Sequence, residues 1–244
     1  MKSVKIRYVG KALLVEENGK RVLALGDLHF GFNEAIQESG YLVDGQMYNE
    51  IIENVERIFE RVGRVDEIVL VGDLKHVFGG ILKEEWGNIV NFIRFLKEKC
   101  DKIVVVKGNH DVALGGIMKM VGKINIEVVD YYIARGVCYI HGNRDFKEIY
   151  NEKIKMWVIG HGHPAVWVGD KIRKEKYKCF LAGRYCGREI IILPSFFPFS
   201  EGTDAREQEL GLAWEFEVRK FKVLVVDGLD AMDFGELGKM EKKE

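Results

Sequence analysis

The residues best equipped for chemistry are the histidines and the polar residues beside them. All six histidines stand in short polar clusters that directly follow aliphatic runs. LALG leads into Asp27-Leu28-His29, IVLVG into Asp73-Leu74-Lys75-His76, and IVVVKG into Asn109-His110-Asp111. CYI leads into His141, and MWVIG into His161-Gly162-His163. Carboxylates, neutral imidazoles and one amide oxygen form a mixed donor set. Such a set suits Mn, Fe, Zn or Ni, whereas an oxygen-only cage would suit Ca or Mg. With no thiolate in any cluster, a structural zinc knot is not expected. A divalent ion held by such donors can polarise an oxygen and supply hydroxide at neutral pH.

Such donors work only if the fold gathers them. In α/β sheets, ligands bind beyond the carboxyl ends of the strands, where loops from neighbouring strands converge. The Asp-x-His and His-x-His spacings put alternate side chains on one face of an extended segment, so both can reach one centre. Glycine before a cluster lets the chain leave its strand sharply and bring its backbone close to a ligand. Any one cluster also has an ordinary explanation, as a buried hydrogen-bonded histidine or a Gly-Asp turn. Five clusters of the same form point to one site.

The elements behind these clusters can be read from periodicity. Val4–Val9, Ala12–Val15 and Val22–Leu25 predict strands, with Asn18-Gly19 as a hairpin turn. Met47, Ile51, Val55, Ile58, Phe59 and Val62 recur at helical spacing, with Asp44 as a cap. A second helix is predicted over about Lys83–Lys99, between aliphatic runs at Ile68–Val71 and Ile103–Val106. Closely spaced strands follow at Val128–Ala134, Val137–Ile140, Met156–Ile159, Ala165–Val168 and Glu189–Leu193, with a last one at Lys220–Val226. The fold class is therefore α/β, two packed mixed sheets flanked by helices. A catalytic domain is expected over residues 1–200 and a C-terminal extension packed on it over 201–244, with the boundary at Leu193–Thr203 and a frayed tail.

Composition narrows the setting. A 244-residue chain can bury a sizeable core without disulfides. No apolar run is long enough to span a membrane, and no secretory signal opens the chain, so a cytoplasmic protein is expected. Cys100, Cys138, Cys179 and Cys186 lack metal spacing and read as reduced structural residues. Few glutamines beside many Glu, Lys, Ile and Val suggest heat adaptation. The 37 Lys+Arg and 38 Asp+Glu nearly cancel, so any case for nucleic acid must be local.

The ordered set Asp-x-His, Gly-Asp, Gly-Asn-His-Asp, His-Gly and Gly-His-x-His, from Gly26 to about Pro164, resembles the calcineurin-like metallophosphoesterase superfamily. The resemblance implies a four-layer αββα sandwich and a dinuclear phosphoesterase centre, Mn being the expected metal with Fe, Zn or Ni as alternatives. Asp27, His29 and His163 would hold one metal, Asn109, His141 and His161 the other, and Asp73 would bridge them. His110 would stand without metal, facing the scissile phosphate. Asp27-Leu28-His29-Phe30-Gly31 with Gly72-Asp73-Leu74-Lys75-His76 is most similar to the small SbcD-related phosphoesterases of prokaryotes. The chain after Leu193 is too short for the DNA-capping domain of full SbcD-type nucleases, so double-strand-break nuclease activity is not expected. Phosphodiester hydrolysis, extending to nucleic-acid ends, is the expected activity. Phosphomonoester hydrolysis and a metal-binding scaffold are the alternatives.

Residues near the clusters have two readings each. His76 either contacts a phosphate oxygen or leaving group, or supports a ligand; Asp111 either orients His110 or caps a turn. Lys75 and Arg144 read as solvated loop charges more than as phosphate ligands. Lys171–Arg188 carries seven basic residues against Glu175, interleaved with Tyr177, Phe180 and Tyr185. It suits either a nucleic-acid backbone or a solvated hairpin. Phe196, Phe197 and Phe199 are expected to pack in the core.

Overall fold

The computed structural model describes residues 4–38, 40, 46–77, 83–112, 114, 125–169 and 173–240. Asp44, the start of the basic run and the end of the tail lie outside them. Two sheets pack face to face. The first runs β1 (Lys5–Val9), β2 (Ala12–Glu17), β3 (Lys20–Gly26), β4 (Glu67–Val71), β5 (Lys102–Val106) and β6 (Ile126–Val129), in that spatial order. Its first three strands are antiparallel and its last four parallel. Asn18 and Gly19 both take positive φ, as a tight two-residue hairpin demands.

The second sheet is built on β7 (Tyr131–Ala134), β8 (Val137–Ile140), β9 (Met156–Ile159), β12 (Arg188–Ile192), β11 (Lys174–Tyr185), β10 (Pro164–Gly169) and β13 (Thr203–Asp204). β14 (Lys222–Asp227) pairs with β11, and β15 (Asp230–Glu236) with β14. The chain beyond residue 200 thus adds strands to this sheet. Arg206 and Asp204 form an ion pair at 2.5 Å, and Asp204 accepts the Trp167 N–H of β10.

Val128–Ala134, predicted as one strand, is two. β6 belongs to the first sheet and β7 to the second, with only Asp130 between them. The apolar character continues through the point where the chain changes sheets, so hydropathy cannot mark it. β11, read only as a basic run, is the longest strand described.

Apolar residues form three layers. Leu13, Val69, Val104, Tyr139, Val158 and Phe180 lie between the sheets. The outer face of the first sheet is covered by α1 (Phe32–Glu38), α2 (Met47–Val62) and α3 (Lys83–Lys97). The apolar set predicted for α2 is its buried face. Ile149, Trp214, Phe221 and Leu237, from 3-10 turns and extended segments, cover the outer face of the second sheet. Because β4 and β5 are covered on both faces, they read as unbroken aliphatic runs. Each fully buried Val or Ile there contributes about 1.5–3 kcal/mol. Among the described residues, no helix is long and apolar enough to cross a membrane.

Candidate metal centre

All nine predicted site residues meet at one end of the sandwich, past the ends of β3, β4, β5, β8 and β9. Asp27, His29 and His163 form one group, and Asp73, His141 and His161 another. A third group joins His29, His76 and His110. Asn109 enters the second group, its Oδ1 3.1 Å from His141 Nε2. Asp73 Oδ2 lies between the groups, 3.4 Å from His141 Nε2, 3.7 Å from His29 Nε2 and 3.9 Å from His110 Nε2.

The backbone is strained to achieve this. Asp27, His29, Asp73, His161 and His163 all have φ between 35° and 64°. A non-glycine residue in that left-handed region costs about 1–3 kcal/mol, and surrounding structure must enforce it. Here the loops brace one another. The N–H groups of Leu28 and His29 donate to the Asp73 carbonyl, and His161 N–H donates to both Asp27 carboxylate oxygens at 3.1 Å. Two glycines make room. A Cβ on Gly72 would collide with the His141 ring, and one on Gly108 with the Asp73 carboxylate.

Asp111 serves the loops. Its carboxylate accepts N–H bonds from Gly108, Leu74 and Lys75 at 2.9, 3.0 and 3.2 Å, tying the Asp73 loop to the Asn109 loop. Burial, with these bonds opposing it, pushes its carboxyl up to about 6. The His110 ring instead meets the backbone carbonyl of His76 through Nδ1. His76 Nδ1 lies 3.4 Å from His29 Nδ1.

Lys75 corrects the expectation of a solvated charge. It is 0 % exposed, and its ammonium turns inward to the Val77 carbonyl. The cause is backbone pairing: Phe30 and Lys75 form a bridge that points the side chain into the protein. Arg144 is the surface charge expected, 3.4 Å from Asp130.

Of the phenylalanines, Phe196 and Phe197 are core as expected, Phe197 also packing on His29 with ring centroids 5.2 Å apart, whereas Phe199 is 49 % exposed. The basic run is dispersed along and beyond β11. Arg173 pairs with Glu175, Lys176 lies over Trp167, and Arg188 donates to the carbonyls of Cys186 and Tyr150. Lys178 points inward and donates to the carbonyls of Ser195 and Phe197.

Two supports left no signal in the sequence. The Ser195–Phe197 segment clamps the Asp27 loop: Ser195 Oγ and Phe197 N–H both donate to the Asp27 carbonyl, at 3.3 and 3.0 Å. Gly211, in the C-terminal segment, leaves room for the His161 ring, because a Cβ there would stand 3.3 Å from its Nε2.

The donor set fits a cation. His141 Nδ1 faces the Val71 carbonyl at 3.3 Å, which directs Nε2 toward Asn109 Oδ1, His161 Nδ1 and Asp73 Oδ2. Burial works against a charge on His141, yet the hydrogen bond to Asp73 and the Asp27 charge push it up to about 9. Burial drives His29 down to about 3, leaving a neutral imidazole of the kind that binds metal. Burial also opposes charge on Asp27 and Asp73, but the neighbouring histidines hold both below the usual carboxylate range. Two buried carboxylates among convergent lone pairs call for positive charge.

Residues 20–225 match the Calcineurin-like phosphoesterase family. No curated protein sequence matches the chain. Among solved structures, the nuclease MPE of Pseudomonas putida is similar at 15% identity and TM-score 0.57, over 95% of this chain and 100% of that one. That likeness shows a shared fold. The phosphoesterase YfcE of E. coli is 15% identical over 83% of this chain and 87% of its own, at TM-score 0.39. Zinc-complexed Vps29 of Entamoeba histolytica is 16% identical over 88% and 99%, also at TM-score 0.39.

Proposed function

The chain belongs to the calcineurin-like phosphoesterase family and is a metal-dependent phosphoric ester hydrolase, and from that premise we propose that it is a dinuclear phosphodiesterase. The observation carrying this reading is Asp73, whose Oδ2 lies 3.7 Å from His29 of one group and 3.4 Å from His141 of the other. Asp27, His29 and His163 would hold one ion, and Asn109, His141 and His161 the other, with Asp73 shared. Bound ions supply Lewis acidity toward phosphoryl oxygens and activate water, and Mn suits the mixed donors.

The chain's own groups do the rest. His110, held through Nδ1 by the His76 carbonyl, presents Nε2 on the Asp73 side. A proton at that nitrogen passes to the leaving oxygen. His76 stacks on His110, centroids 5.7 Å apart, and contacts the phosphate or its leaving group. The apolar wall of Phe32 and Phe197 beside His76 suits the second organic group of a diester. The shared fold of the nuclease MPE agrees with a diester substrate, extending to nucleic-acid ends.

The test is a panel of Mn²⁺, Zn²⁺ and Ca²⁺ against bis(nitrophenyl) phosphate, nitrophenyl phosphate and labelled oligonucleotides. Chelated protein should be inactive and regain diester turnover with Mn²⁺ more readily than with Ca²⁺. Asp73→Asn should remove most activity and lower bound metal below two per chain by elemental analysis. Two metals with normal turnover in that variant would overturn the bridging role. Faster monoester turnover would make the enzyme a phosphomonoesterase, and full metal loading without turnover on any substrate would make it a scaffold.

A further inference from the structure

The rings of the metal centre continue outward as an unbroken aromatic series. Phe197 packs on His29 and, at 6.0 Å between centroids, on His76. Phe32 meets His76 edge-on at 5.0 Å and Phe197 at 4.7 Å. Phe199 stacks on Phe32 at 5.5 Å with 24° between planes. A single exposed apolar side chain is ordinary, but this one ends a chain of ring contacts that begins at the centre. Phe199 therefore presents an aromatic surface two ring contacts from His76.

The surface is also held in place before any ligand arrives. Pro194 and Pro198 restrict the segment that carries it. Phe196 N–H donates to the Gly26 carbonyl at 3.2 Å, Phe197 N–H to the Asp27 carbonyl at 3.0 Å, and Lys178 to the carbonyls of Ser195 and Phe197. Rigid aromatic anchors lose little entropy when something stacks on them. These hydrogen bonds tie residues 195–197, just before Phe199, to the backbone of Gly26 and Asp27, and Phe199 itself is placed by its stack on Phe32.

We propose that Phe199 and Phe32 form a base-stacking subsite that takes the nucleobase of a nucleotide esterified to the phosphate at the centre. The proposal rests on the phosphodiesterase reading and names its substrate class as nucleobase-bearing phosphodiesters. The two ends divide the work: the charged centre takes the phosphate, and the neutral rings take the base, whose π-face matches theirs whatever its identity. Preference for bases over bare backbone, without preference among bases, follows.

The test compares fluorescein-labelled oligothymidylate with an abasic tetrahydrofuran oligomer of equal length, by anisotropy on the full chain loaded with Ca²⁺, which supports turnover less readily than Mn²⁺, at one salt concentration. Equal phosphate number cancels the electrostatic contribution. Wild type should bind the base-bearing strand about 5–150-fold tighter, the range of one base–aromatic stack. Phe199→Ala should lose most of that ratio, and Phe199→Trp should keep it. A wild type indifferent to bases overturns the subsite. So does Phe199→Ala weakening both probes equally, which would make Phe199 a mere support of its loop. Failure of the underlying reading is a different result: no metal-dependent turnover of methyl nitrophenyl phosphate by wild type, whatever the anisotropy shows.

Discussion

The strands of the first sheet end very differently at their two tips. Where they start, acids meet bases: Lys20 with Asp66, Arg64 with Asp101 and Lys102 with Glu127 at 2.6 Å, and Arg135 with Glu67 at 2.7 Å. Where they finish, Asp27 and Asp73 are buried, face histidines, and sit on left-handed backbone. One tip has its charges matched, and its left-handed non-glycine residues, Asn18 and Arg135, lie in tight hairpin turns. The other carries strain and under-compensated negative charge, the condition in which a protein holds cations. The contrast separates residues that keep the fold from residues kept for chemistry.

The largest break in that contrast should come at the strained tip. His110→Ala should retain both metals and lose about 10²–10⁴-fold in rate on a substrate with a poor leaving group. With nitrophenolate, which needs less protonation, the loss should be smaller. Equal losses on both would assign His110 to charge stabilisation or positioning.

A smaller effect should come from Lys178, behind the same tip. Burial, reinforced by Lys11 and opposed by Asp27 and Glu50, pushes its amine from the ordinary 10.5 to about 7. Between those values the unfolded chain binds a proton the folded chain has released, so stability rises with pH across that window. Below about pH 7 the cost of the buried charge is felt in full. Against Lys178→Met, wild type should therefore gain stability from pH 7 to pH 9.5 in urea unfolding. A flat difference would mean that Lys178 keeps its proton.

The smallest effect belongs to the matched tip. Asp101→Asn breaks the pair with Arg64, whose side chains are 65% and 54% exposed. Such pairs contribute about 0–1 kcal/mol. Diester turnover should be unchanged and the melting temperature nearly so; a loss of activity would show that the two tips are coupled.

Much of this was legible in the sequence, for a physical reason. β4 and β5 are buried on both faces, so their residues are aliphatic without interruption, and the polar residues that follow them stand out. The histidines carry signal because none of the six lies elsewhere to dilute it. What stayed hidden depends on where side chains point. β11 carries Lys174, Lys176 and Lys178, and nothing in that string says that Lys178 turns inward to the Ser195 carbonyl. Lys75 looks like any loop lysine until the bridge to Phe30 turns it inside. Phe199 differs from Phe196 only in the direction its loop gives it.

The one-residue passage at Asp130, where β6 of one sheet gives way to β7 of the other, bears on how the centre forms. Asp27, His29, Asp73 and Asn109 follow strands of the first sheet, while His141, His161 and His163 follow strands of the second. Neither half of the chain owns a complete donor set, and each of the two groups draws on both halves. The centre comes into being only when the sheets close on each other. Metal affinity in this protein is accordingly a gauge of sandwich closure: whatever loosens the layer between the sheets, however far from the histidines, should register there as weaker metal binding, and bound metal should in turn hold the layers shut.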